Sequence, residues 1–428
     1  MRKGYSFRWR GFFIFLGINL GLLISLGLFA NTLNGRAALS ESVRVAGLDK
    51  MIYLPLLFSR NGALTDYIIL GWNDLGMHCY NRDFQDLAVL PPYNNLVVQI
   101  IKRGDPPKII TTDVSVLYSF PDNTYSVGKS NFWDYDQKLF NVDLPANVGL
   151  TGKGLAGTMD IKGNHFSAEG IPLTEYDDKD WINRQPFQLA QIILRDNTSG
   201  AELSRNQVVA PVSTEMRCDN CHSDGAFGIG TGKVETNILT LHDAENQDEY
   251  PTGHTGSLMN RRPILCAECH ASNALGKPGV NGLPSLSNAM HEKHAGKVSN
   301  STDGCYNCHP GPSTKCLRDV MSTKHNIGCV DCHGTMETVS QNPNPWLNEP
   351  RCDRCHTDVS YAQNNSLYRL STGHGGLYCE ACHDSTHAIA PSSQPRDAIK
   401  FVNLQGSGGP LGKCTVCHLT QPTSGSIH

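Results

Sequence analysis

Between about Asp66 and Ser213, apolar and polar positions alternate or cluster as half-buried strands require. The stretches YIILGW from Tyr67, NLVVQIIKR from Asn95, KIITTDVSVLYSF from Lys108 and FQLAQIILRD from Phe187 are rich in β-branched and aromatic residues. Turn-forming runs separate them: RGDPPK, FPDNT, DIKGN and RDNTSGAE. The last stands between QLAQIIL and NQVVAPV and predicts a β-hairpin. A stretch of about 150 residues of this texture can close one hydrophobic core, so residues 66–213 are expected to form a sandwich-like, β-rich domain.

The pattern changes after Arg217. Apolar periodicity weakens, and short helical segments are joined by Gly-, Pro-, Ser- and Asn-rich runs such as NALGKPGVNGLPSLSN. The fold class predicted for the whole chain is therefore α+β, with the β-rich domain followed by a loop-rich, short-helix domain over 214–428. Two N-terminal pieces precede these. In residues 1–30, Arg2, Lys3, Arg8 and Arg10 lead into the uncharged apolar run Gly11–Ala30, the form of an export signal or an N-terminal anchor. Residues 31–65 read as a linker.

The second domain carries the chemistry. Cys-x-x-Cys-His recurs seven times, at Cys218/Cys221/His222, Cys266/Cys269/His270, Cys305/Cys308/His309, Cys329/Cys332/His333, Cys352/Cys355/His356, Cys379/Cys382/His383 and Cys414/Cys417/His418. At this abundance of Cys and His, chance supplies roughly 0.02 copies. Structural zinc takes four ligands, usually from paired knuckles, and has no need of a histidine behind every second cysteine. A redox dithiol would occur once, beside a βαβ unit. Covalent haem attachment accounts for the grammar: two sulfurs form thioethers to the porphyrin and the next residue offers an imidazole to the iron. The expected cofactor is haem c, seven copies, with the fourteen motif cysteines as attachment points and the seven motif histidines as proximal ligands. With about one haem per 31 residues, the porphyrins themselves would form the core, and the chain should fail to mature without them.

Seven further histidines lie within the region: His242, His254, His291, His294, His325, His374 and His387. Several stand shortly upstream of a motif, and their number matches the motifs, which predicts bis-histidine coordination with these as distal ligands. His78, His165 and the terminal His428 are reserves, His78 as a ligand that could bridge to a second subunit. Met259, Met290 and Met321 are the competing sixth ligands and read as packing residues. Cys79 and Cys316 fall outside the motifs. They could pair in an oxidising compartment, remain two buried thiols, or leave Cys79 to act with His78.

These motifs resemble the multihaem c-type cytochromes, a class of respiratory and extracellular electron carriers, cytochrome filaments and several reductases. The resemblance covers Cys218 to His418. The segment GWNDLGMHCYNRDF, followed by LPPYN, is similar to one that heads uncharacterised multihaem cytochromes of environmental bacteria. The resemblance implies electron transfer outside the cytoplasmic membrane, in the periplasm or at the cell surface. The implied partners are redox donor and acceptor proteins or an extracellular acceptor, with self-association into a filament as a further form. The rival function is reduction of nitrite, hydroxylamine or a sulfur oxyanion at one open haem, for which no catalytic residue stands out. A third reading makes GWNDLGMHCY, with Asp74 and His78, a docking surface, against a turn packed on the second domain. Charge argues against nucleic acid: 36 Lys and Arg against 40 Asp and Glu give a net charge of −4, and no basic stripe is visible.

Overall fold

A computed structural model describes residues 65–228, 232–254, 256–342, 344–358, 363–365 and 367–423. The export or anchor segment, all but the last residue of the linker, and His428 lie outside the described residues. Among the described residues no helix is long and apolar enough to cross a membrane.

The alternating stretches form two five-stranded sheets. In the first, β1 (Tyr67–Trp72) pairs antiparallel with β4 (Asn94–Lys102), which continues to β9 (His165–Ile171) and β8 (Asp160–Lys162), with β5 (Lys108–Ile109) on the far end of β4. In the second the order is β2 (His78–Cys79), β11 (Glu202–Ser213), β10 (Phe187–Asp196), β6 (Val114–Ser119) and β7 (Ala156–Thr158). The expected hairpin is β10–β11. Asp196 turns it by accepting hydrogen bonds from the backbone of Thr198 and Ser199, and Gly200 supplies the positive φ that closes it. One expected turn is partly strand: Asp160–Lys162 of DIKGN is β8, and only Gly163 and Asn164 make the bend, because Lys162 already pairs with His165.

Every second side chain faces inward. Leu96, Val98 and Ile100 of β4 meet Val114, Val116 and Tyr118 of β6, Ala190, Ile192 and Leu194 of β10, and Val208, Ala210 and Val212 of β11 in one buried cluster. The two sheets therefore close on each other as a sandwich. β1 departs from simple alternation because both of its faces are covered. Ile69 enters the sandwich core, while Ile68, Leu70 and Trp72 pack outward on Ala381, Phe401, Leu411 and Val416.

Beyond residue 217 the elements are short. The longest helix is Val234–Asn246; others, such as Leu286–His294 and Val320–His325, owe their starts to Ser285 and Asp319, whose side chains accept the first free backbone N–H groups. Between Ala267 and Leu367, a stretch of about one hundred residues, no Ala, Val, Ile, Leu, Met or aromatic side chain is buried among the described residues. Polar residues are buried there instead, Arg318 and Asp319 among them. This polypeptide has no hydrophobic core of its own.

The two regions share one compact unit, Asn61–His428. β3 (Leu87–Ala88) pairs in parallel with β12 (Ile264–Leu265), the two residues before Cys266. At the other end of the chain, Gly104 bridges to His418. The GWNDLGMHCY stretch lies between the regions. A Cβ on Gly76, whose φ is +74°, would fall 1.8 Å from the Thr386 carbonyl oxygen, so only glycine allows this approach. The Gly76 carbonyl accepts a bond from Arg318, and the Gly71 carbonyl accepts one from Lys400.

Candidate cofactor site

Each motif begins a single helical turn. The N–H of His222, His270, His309, His356 and His418 donates to the carbonyl of the first cysteine of its motif, at 2.8–3.1 Å, and the motifs at Cys329–His333 and Cys379–His383 are α-helical throughout. One turn brings residues i, i+3 and i+4 to one face, so both sulfurs and the imidazole of every motif point the same way.

The turns lie next to one another in a definite order. Sulfurs near enough to feel each other's charge link Cys266 with Cys218, Cys218 with Cys308, Cys305 with Cys329, Cys332 with Cys355, Cys352 with Cys379, and Cys382 with Cys417. Among the described residues these links run as a line from the Cys266 motif to the Cys414 motif. The order follows the sequence except that the first two motifs exchange places.

The cysteines are not equally enclosed. Four of them, Cys221, Cys308, Cys332 and Cys355, are exposed in the polypeptide alone. Each is the second cysteine of its motif. The turns Cys218–Asn220, Cys329–His333 and Cys352–Arg354 bury no residue of their own, and Thr302–Cys305 buries only Gly304, so no packed side chains close over the sulfurs that they present. Cys221 nevertheless keeps its place in the line, beside Cys308 of the third motif.

Opposite five of the motif histidines stands one of the spare histidines. The ring centroids are 6.2 Å apart for His222 and His294, 6.3 Å for His270 and His242, and 6.1 Å for His309 and His291, for His333 and His387, and for His418 and His374. Two imidazoles bound to one metal through about 2 Å bonds have centroids about 6.3 Å apart, so each pair is spaced to hold an iron between its rings. Every pair joins a motif histidine to a spare one. The spare ring comes from elsewhere in sequence: His387 follows the Cys379 motif and faces His333, while His374 precedes that motif and faces His418.

The other ring nitrogen supports the same chemistry. Nδ1 meets an acceptor at His222 (Asn237 amide oxygen, 3.2 Å), His270 (Pro284 carbonyl, 2.9 Å), His291 (Ser287 carbonyl, 2.7 Å) and His294 (Met290 carbonyl, 2.6 Å). The same holds for His242 (Tyr250 hydroxyl, 2.9 Å), His387 (Cys316 Sγ, 3.6 Å) and His418 (Asp105 Oδ1, 3.3 Å). An Nδ1–H that donates leaves the Nε2 lone pair for a metal and fixes the ring's rotation. Burial pushes His309 down to about 4 and His387 down to about 3, so both rings are neutral, the ligating form, at neutral pH.

Not every expected ligand is brought into place. His254 is half-buried with its Nδ1 unsatisfied, and His325 is exposed at the end of its helix; neither ring faces a motif histidine among the described residues. Of the reserves, His165 meets Tyr378, the residue before Cys379, edge-on at 5.3 Å. His78 is buried, bonded to Asp74 at 3.0 Å and stacked on Tyr93. Burial opposes the charge on Asp74, but its bonds to His78 and Asn95 prevail and hold the carboxyl below its usual range. Met259 packs with Leu258 and Ile264 as expected. Cys79 and Cys316 are two separate thiols, and burial raises both, Cys316 to about 11. The GWNDLGMHCY stretch is largely packed inside, and Tyr80 at its end borders an open cavity of about 180 Å³ between Arg82, Lys129 and Trp181. No cluster of three or more His, Cys, Asp or Glu spaced for a metal occurs among the described residues.

One buried acid was not foreseen. Glu380, inside the Cys379 motif, is fully buried, and neither of its oxygens has hydrogen-bonding geometry to a donor, the Trp72 indole included. Burial, then the charges of Asp74 and Asp384, push its carboxyl well above the usual range, with Lys400 opposing. The folded acid keeps its proton where the unfolded one releases it. Its contribution to stability is therefore full below the ordinary value of 4.5 and is lost as pH rises toward the folded value. Glu380→Gln is expected to leave the urea midpoint unchanged at pH 4 and to stabilise the protein at pH 8 by at least about 1.4 kcal/mol, the worth of one pKa unit. An equal effect at both pH values would show that Glu380 is ionised in the fold.

No family model, curated protein or solved structure matches the chain.

Proposed function

We propose that the chain carries electrons through seven covalently attached c-type haems, held by the fourteen motif cysteines and ligated through bis-histidine pairs. Residues 214–428 are then a heptahaem domain and residues 66–213 its rigid support. The observation that carries this reading is the set of five motif–spare histidine pairs at 6.1–6.3 Å. The missing hydrophobic core between Ala267 and Leu367 supports it, since porphyrin faces would supply the apolar surface the side chains lack.

When bound, haem supplies a one-electron couple at each motif. The chain's own work is to hold the couples in line and to tune them. The motif turns set neighbouring attachment points side by side, and the Nδ1 acceptors fix each imidazole plane and its basicity. Two imidazoles at a site would hold the haem iron between them and leave no position for substrate, so the site would change charge without binding one. The chain acts outside the cytoplasmic membrane, in the periplasm or at the cell surface, since the apolar run at Gly11–Ala30 has the form of an export signal. Donor and acceptor proteins, an extracellular acceptor or further copies in a filament are the partners this role requires.

Low-temperature EPR with magnetic circular dichroism on the oxidised holoprotein tests the reading, after mass spectrometry has counted the haems. Seven covalent haems, all low-spin with bis-histidine signatures, are expected. A high-spin iron that binds nitrite or hydroxylamine would replace electron carriage with a reductase site.

A further inference from the structure

Of the seven Nδ1 acceptors described above, six are neutral: an amide, three carbonyls, a phenol and a thiol. The seventh, on His418, is the Asp105 carboxylate. It comes from the sandwich, from the turn between β4 and β5, 313 residues away in sequence. The contact is built rather than incidental. The backbone of Leu419 donates to Asp105 Oδ1 at 3.2 Å, and the Thr420 N–H and hydroxyl donate to Oδ2 at 3.0 and 2.8 Å. Arg103 donates to the carbonyls of Thr415 and His418 at 2.9 and 3.4 Å. The ring opposite, His374, sits on a turn whose Gly376 carbonyl accepts from Gln99 and Asn164, both also from the sandwich. The site with the charged acceptor is also one end of the line of motifs.

We infer that Asp105 is a positioning residue that makes the Cys414–His418 site the low-potential end of the array, so that electrons enter there and run toward the Cys266 motif. The inference rests on the proposed haem function. A carboxylate draws the Nδ1 proton toward itself and leaves Nε2 with more electron density than a neutral acceptor would. A more electron-rich ligand stabilises ferric over ferrous iron and lowers the potential. With haem bound, the exchange would balance as one electron: a reduced one-electron donor would lose it at the terminal site, which would pass it to its neighbour with no bond made or broken. Asp105 is 36% exposed and His418 18%, so solvent screens the effect and keeps it moderate.

The test is an optical redox titration of the purified holoprotein carrying Asp105→Asn, which keeps the shape and neutralises the acceptor. The expected result is that one seventh of the haem absorbance change, the component of lowest potential, moves upward by about tenfold in its reduction equilibrium, or about 59 mV for one electron. Asp105→Glu should restore most of the shift. Glu202→Gln, which removes the same charge from the β10–β11 hairpin, should not reproduce it. His374→Ala marks the component by turning its EPR signal high-spin. No movement in D105N, or movement of a component other than the lowest or other than the one H374A marks, overturns the inference while leaving the haem count intact. A chain that carries no covalent haem by mass overturns the proposed function instead.

Discussion

A C379A/C382A double variant is expected to lose more than about tenfold of its mature protein, measured by immunoblot and haem stain, and to lose it more severely than any other motif pair. On the haem reading every motif would contribute a porphyrin to the core, so replacing any pair should lower the yield. The Cys379 motif differs in where its turn is embedded. Ala381, between its two cysteines, is wholly buried against Ile68, Leu70 and Trp72 on the outer face of β1, and Lys400 reaches across to the Glu380 and Gly71 carbonyls. Losing the attachment there opens the seam between sandwich and cofactor domain, where each large apolar side chain contributes about 1.5–3 kcal/mol by burial. The Cys352 motif gives the contrast: Cys355 is exposed and its turn buries no residue, so C352A/C355A should accumulate a six-haem protein. Equal yields from the two variants would mean that attachment, not packing, decides survival.

The second large effect is expected at Arg318. Its guanidinium is 1% exposed and meets Asp397 through two parallel bonds of 2.8 and 2.9 Å, while Nη1 donates to the carbonyls of Gly76 and Cys316. One side chain thus ties three distant stretches: the GWNDLG segment, the loop behind the third motif, and the turn before helix Ile399–Gln405. Asp397→Ala leaves a buried cation without its counter-charge. It should destabilise the holoprotein by about 3–5 kcal/mol, which corresponds to a fall in melting temperature on the order of 5–10 °C. The paired change R318M/D397L should recover much of that loss, because a matched apolar pair removes both charges together. A D397A protein that melts with the wild type would mean that water reaches the guanidinium.

Much of the scaffold was legible because strand burial has a period of two. Val114, Val116 and Tyr118 announce an inward face whatever the topology, and the Asp196 turn marks the hairpin. The outward cover on β1 was less visible, since a continuous apolar run such as YIILGW fits any element buried on both sides. The motifs themselves were fully legible, being local. How deeply each one sits was not: Cys221 and Cys382 occupy the same place in the same motif, yet one is exposed and the other packs against the apolar cover of β1. Which spare histidine meets which motif was hidden for the same reason, because that depends on tertiary placement: His291 and His294 are three residues apart yet serve His309 and His222. The expectation that all seven spare histidines are distal ligands came from a matching count, and a count carries no geometry; the described residues set five of them opposite a motif histidine. Asp105 left no local signal at all. It reads as one residue of a turn, RGDPPK, and acquires its partner only when the two regions fold together.

The helix Leu286–His294 carries two of the spare histidines, His291 opposite His309 and His294 opposite His222. The two histidines are separated by about 4.5 Å along the axis, at 1.5 Å per residue. On the haem reading, the neighbouring centres at Cys218 and Cys305 would therefore share a single stiff rod, and thermal motion would tilt the two imidazoles as a body for as long as the helix holds. Where loops connect the rest of the array, this link would behave as a gauge block, against which looser joints on either side could vary.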